Sequence, residues 1–172
     1  TVLTRIRMIS STARAKLDAA LNLLKNGRLG EARARLSRLH RDHPDDSEIQ
    51  LHLAGALHTS GRATEALPHF VEVLRRFPDL PAAAIGLARV WRDLGVMENA
   101  AEVLKKSLIK TPGNGPLIAE LAGLRHFEHD FETSIRLNRR LILLMPTSAT
   151  PYANIAEGLA ELQNESEALL SM

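Results

Sequence analysis

The stretch Gly61-Arg62-Ala63-Thr64-Glu65-Ala66-Leu67-Pro68-His69-Phe70, followed by Phe77-Pro78, holds three positions that return along the chain at a fixed step. Pro78 is one of four prolines, with Pro44, Pro112 and Pro146, set 34 residues apart without a slip. Gly61 belongs to a ladder of Gly27, Gly61 and Gly95 that breaks at His129. Ala66 belongs to the ladder Ala32, Ala66, Ala100, Ser134 and Ala168, and a further one runs Ala20, Ala54, Ala88, Ala122 and Ala156. A constant period of this length marks stacked repeats, each a unit that cannot bury its apolar faces alone.

Phasing on the prolines gives units 13–46, 47–80, 81–114 and 115–148, then a partial unit 149–172, with residues 1–12 in front. Each unit reads as two helices. In the second, Ile49, Leu53, Ala56 and Leu57 carry an apolar stripe up to Gly61, and Ala66, Phe70, Val73 and Leu74 carry another up to Pro78. Spacings of three and four put such residues on one helical face. Glycine at the mid-unit stop reaches a positive φ without strain. Proline ends the second helix because it lacks the amide proton and clashes with the preceding turn. The alanines at 20, 54, 88, 122 and 156 predict close approach of the two helices, with Leu53, Leu87, Leu121 and Ile155 filling the core beside them.

The period, the mid-unit glycine, the alanine ladders and the terminal proline together resemble the tetratricopeptide repeat (TPR). The resemblance covers residues 13–172 without insertion, and departs from the family in its low aromatic content, 3%. The fourth unit departs most, with His129 and Ser134 in place of Gly and Ala; His tolerates the left-handed region well enough to keep the turn. The fold class implied is all-α, a right-handed superhelix of about four and a half stacked antiparallel helix pairs.

The resemblance also implies a concave groove lined by the first helix of each unit. Carried over position by position, the groove residues are Leu17, Leu21, Leu51, His52, Gly55, His58, Ile85, Arg89, Arg92, Glu120 and His126. Leu17, Leu51 and Ile85 form an apolar ladder suited to anchors of a peptide or partner helix, with packing against the next unit as the alternative. Arg89, Arg92, His58 and His126 make a basic middle suited to carboxylates. Gly55, Gly86 and Gly123 on the same face leave room for a ligand backbone. Two groove chemistries of the family are missing. The places of a carboxylate clamp hold, in the first register, Leu17, Leu21, His52, Ala82 and Gly86, and those of an asparagine ladder hold Asp18, His52, Gly86, Glu120 and Asn154.

Other chemistry finds little support. Cysteine is absent, which removes disulfides and thiolate-ligated metals, though it identifies no compartment; a cytoplasmic site is the expectation. His40 with His43, and His126 with His129, are pairs three apart that lack a placed third ligand, so they read as surface or packing histidines. There is no phosphate loop, HExxH or nucleophile-elbow motif. Asp45 and Asp46 sit where acids cap the next helix. The longest apolar run, Leu141 to Met145, is far too short to span a bilayer.

Net charge is only +2, yet residues 1–41 hold ten Lys or Arg against two acids, and residues 147–172 hold four Glu and no base. Opposite ends of this kind are suited to self-association. Arg28, Arg33, Arg35, Arg38 and Arg41 gather on a second helix with no interleaved aromatics, so no nucleic acid is expected. The segment 1–12 reads as the tail of a preceding helix, or as a first helix capped at Ser11 or Thr12. A start at Thr1 and a stop inside a fifth unit suggest a domain cut from a longer protein. The reading is therefore a non-catalytic protein–protein interaction module, without cofactor, metal or membrane. Its ligand is a peptide or protein segment, acidic with apolar anchors. The alternative is a regulatory or substrate-recruiting arm of a larger enzyme, such as a transferase.

Overall fold

A computed structural model describes residues 10–170, apart from the side chains of residues 165 and 167–170. The expectations for residues 1–9 and 171–172 lie outside the described residues. Nine α-helices and no strand occur among the described residues: α1 (Ser11–Lys25), α2 (Leu29–Asp42), α3 (Ser47–Thr59), α4 (Ala63–Arg76), α5 (Pro81–Asp93), α6 (Met97–Lys110), α7 (Gly115–Phe127), α8 (Phe131–Leu144) and α9 (Thr150–Leu170). They fall into two compact units, Thr1–Leu94 and Gly95–Met172.

The repeat ladders act at helix ends. Gly27 and Gly61 both adopt φ +73° and Gly95 φ +78°, and His129 takes their place at φ 60°. At Gly27 the amide bonds back to the Leu24 carbonyl at 3.1 Å, and the next amide, of Arg28, to Leu23 at 2.9 Å. This pair of bonds is the Schellman closure, which needs one left-handed residue. His129 reproduces it, with its amide on His126 and that of Asp130 on Arg125. Each second helix instead ends two residues before its proline, with the capping residue between. His43, Phe77, Thr111 and Met145 cap them with φ between −138° and −130° and ψ between 66° and 74°. A following proline excludes the α region for the residue before it, which accounts for the shared geometry.

Helix starts use what each repeat offers. Ser10, Asp46, Asn114 and Asp130 each accept a hydrogen bond from the amide three residues on. The cap of α1 is thus Ser10, a residue or two before the expected Ser11 or Thr12: it has the non-helical ψ of 152° that a capping residue takes, and Ser11 is already the first helical residue. Asp46 caps α3 as expected. In α2 and α4, where arginine stands at the cap, Arg28 pairs with Glu31 and Arg62 with Glu65 across the first turn.

In the first unit, Leu17, Ala20, Leu36, Ile49, Ala54, Ala66, Val73 and Ala88 are wholly or almost wholly buried. A ring of Phe70 on α4 lies where a Cβ on Gly86 of α5 would stand, 2.2 Å from that point, so glycine is the only residue that lets this ring pack. In the second unit, Leu104, Leu117, Ile118 and Ala122 form the core. Asn138 of α8 occupies the position of Leu36, Phe70 and Leu104 and is buried to the same degree. Its amide donates to the Ser134 carbonyl at 3.0 Å and its oxygen accepts from Asn154 of α9 at 3.2 Å. A buried amide is tolerated there because both of its ends are hydrogen-bonded.

The partial fifth unit is a single helix: α9 runs unbroken for 21 residues and includes Ala168. Gln163 stands where Gly27, Gly61 and Gly95 end the first helix, and glutamine favours helix over the left-handed region. With no partner helix folded back on α9, Ala156 is exposed and Ile155 half-buried, unlike their equivalents in the earlier repeats.

Candidate functional site

In the first unit, α1, α3 and α5 lie side by side and share one face. Two polar bridges stitch it. Arg14 of α1 bonds Glu48 of α3 at 2.8 Å, and His58 of α3 meets Asp93 of α5 through Nε2 at 2.7 Å. The glutamate raises the Arg14 guanidinium above its ordinary pKa. Burial works to raise the Asp93 carboxyl, yet hydrogen bonds from His58 and Arg92 bring it below the ordinary carboxylate value. His52 is half-buried on the same face. Burial holds its pKa down, Arg14 adds to this, and Glu48 opposes it.

The predicted groove residues divide into three groups. Leu17 is corrected outright: its side chain is 0% exposed, so it belongs to the core of the first repeat and presents nothing to a ligand. Its equivalents Leu51 and Ile85 are half-buried, as is Leu21, and these three keep an accessible apolar edge. Around Gly55 there is open space, with nothing within 4 Å of a notional Cβ. Gly86 behaves oppositely: the Phe70 ring fills the room that was expected for a ligand backbone. Arg89 is exposed and Arg92 half-buried.

The basic middle is modified by a residue the charge reading passed over as a partner. Asp93 accepts from Arg92 at 3.2 Å while it holds His58, so the centre of the face is a carboxylate bridged by His58 and Arg92. The spacing of 35 between His58 and Asp93, one more than the repeat, was the available signal. In the second unit, Glu120 and His126 are half-buried on α7. His126 lies 3.8 Å from Glu157 of α9 and edge-on to the Phe131 ring. Among the described residues no group of three or more His, Cys, Asp or Glu is gathered to hold a metal, and no helix is long and apolar enough to cross a membrane.

Two family models described as tetratricopeptide repeat match the sequence, over residues 17–79 and 57–124. No curated protein matches it. Among solved structures, MamA from Desulfovibrio magneticus RS-1 superposes with a TM-score of 0.75 at 18% identity, over 94% of this chain and 92% of that one. A thermophilic TPR protein of Thermus thermophilus gives 0.76 at 20% identity, over 92% and 87%. The Cut9–Hcn1 hetero-tetramer of the APC/C gives 0.78 at 20% identity, over 87% of this chain and 30% of that one. At these identities the likeness is one of fold.

Proposed function

Because this chain belongs to the tetratricopeptide repeat family, whose folds serve as protein–protein interaction modules, we propose that it captures a segment of another protein on the face formed by α1, α3 and α5. The observation that carries this reading is the accessible apolar edge of Leu21, Leu51 and Ile85 beside the open space over Gly55. A helical or extended segment places apolar anchors on that edge, and its backbone approaches at Gly55. Arg89 and Arg92 flank the edge and favour acidic groups beside the anchors. The reaction is binding alone, of about micromolar strength, near −8 kcal/mol, as for a small peptide on a rigid surface.

Selection from a random displayed-peptide library tests this. Recovered peptides are expected to combine apolar anchors with Asp or Glu. Their binding should be lost in Gly55→Trp, which fills open space without touching the core. It should fall in the pair Arg89→Glu and Arg92→Glu, with the helical circular dichroism signal unchanged. Full binding to Gly55→Trp would place the ligand on another surface and sink the assignment.

A further inference from the structure

The apolar run Leu141 to Met145 has no place in the interaction face just described. A helix buries one side only, so α8 takes Leu141 inward and turns Leu143 out, 84% exposed, with Leu144 partly exposed behind it. One repeat earlier, at the equivalent position of α6, Ile109 is 81% exposed. The first two repeats hold Arg41 and Arg75 at this position. Two large aliphatic side chains therefore stand in solvent at matching points of the second unit, where an ordinary surface would carry charge.

A hydrogen bond ties the end of α6 to α8. Arg140, one turn before Leu143, bonds the Pro112 carbonyl, three residues beyond Ile109. Lys105, Lys106 and Lys110 on α6 and Arg136, Arg139 and Arg140 on α8 surround the pair and are all exposed. Lys106 is paired with Glu102 a turn earlier, and Arg136 donates to the Thr133 hydroxyl. No Asp or Glu occurs between Glu102 and Glu120, nor between Glu132 and Glu157. Tyr152 at the start of α9 is 50% exposed, its hydroxyl 3.5 Å from the Pro146 carbonyl at the same edge.

We infer that this face of the second unit, Ile109 and Leu143 within six Lys and Arg, docks on the surface of an anionic lipid bilayer. The aliphatic groups project from the outward side of two helices among exposed cations, and a fluid interface closes around such groups without preformed pockets. The cations supply attraction to acidic headgroups, and an amphipathic tyrosine suits the headgroup layer. This is peripheral docking, compatible with the absence of a spanning helix among the described residues.

Flotation of the full chain with vesicles decides it, using phosphatidylcholine alone and phosphatidylcholine with about one-third phosphatidylserine. The chain should float with the anionic vesicles at about 0.05 M salt, be released at about 0.5 M, and ignore the neutral ones. Ile109→Ser with Leu143→Ser should weaken binding about tenfold or more, since two inserted aliphatic side chains are lost. Lys105→Gln with Arg139→Gln should weaken it by about fivefold for each charge. All four positions are exposed, so both variants should keep the parent circular dichroism spectrum. The inference is overturned if the chain shows no preference for anionic vesicles, as an acidic protein partner would give. It is equally overturned if the aliphatic double variant floats like the parent, which would mean adsorption by charge alone.

Discussion

Gly86 shows how one residue type serves different ends in a repeat. Gly55, at the neighbouring repeat's face, has empty space around it, whereas Gly86 is pressed by the Phe70 ring. A methyl group at Gly86 must displace that ring from the core, and overpacking of this kind costs about 1–3 kcal/mol. Gly86→Ala is accordingly expected to lower the midpoint of urea unfolding by that free energy, and Gly86→Ala with Phe70→Leu to recover part of it. A midpoint equal to the parent's in the single variant would show that the ring has an alternative rotamer. Sequence could not separate the two glycines, because the occupant of each space comes from a different helix.

Among the helices, the first of each repeat ends on a left-handed residue and the second on a residue before proline. These ends differ in what they require. At Gly61 the demand is purely backbone, since φ is +73° and nothing lies within 4 Å of a Cβ. Alanine there costs about 1–2 kcal/mol. Gly55 lies inside α3, where alanine gains about 0.5–1 kcal/mol over glycine. Gly61→Ala and Gly55→Ala should therefore shift the thermal midpoint in opposite directions, measured by circular dichroism at 222 nm. A shift of the same sign in both would contradict the assigned roles. The same logic was readable in advance at His129, which does turn left-handed, but not at Gln163. There the helical preference of the residue outweighed the repeat pattern, and α9 continued.

Across the chain, three half-buried histidines of the first unit set a dependence on pH. His40 and His69 meet edge to face with ring centroids 5.3 Å apart, and the buried Nδ1 of His40 has no hydrogen-bond partner. Burial lowers both below their ordinary 6.5, with Arg76 adding to the effect on His40 and His40 to that on His69. His52 is lowered likewise, by burial first. A base whose folded pKa is depressed binds its proton more readily when unfolded, so stability is full above 6.5 and falls as pH drops below it. The melting temperature should thus be level from about pH 8 to 7 and decline towards about pH 5, with a shallower decline in His69→Leu. A flat profile over that range would contradict the buried-histidine account. Glu72, half-buried and held at about 2 by hydrogen bonds from Arg75 and Arg76, acts only in a separate window, losing its contribution as pH falls from 4.5 through about 2.

Period, helix boundaries and the all-α fold were legible in the linear chain because they rest on local rules: proline denies an amide, glycine admits a positive φ, and apolar spacing selects a face. Those rules act within a few residues and repeat with the sequence. The interaction face was legible only in outline. Whether Leu17 is core and Leu51 an edge, whether Arg92 meets solvent or Asp93, and whether Leu143 points inward or out depend on which helix comes to lie against each side chain. Equivalent positions of a repeat obey the same local rules but have different neighbours in space, and burial and charge pairing are properties of those neighbours.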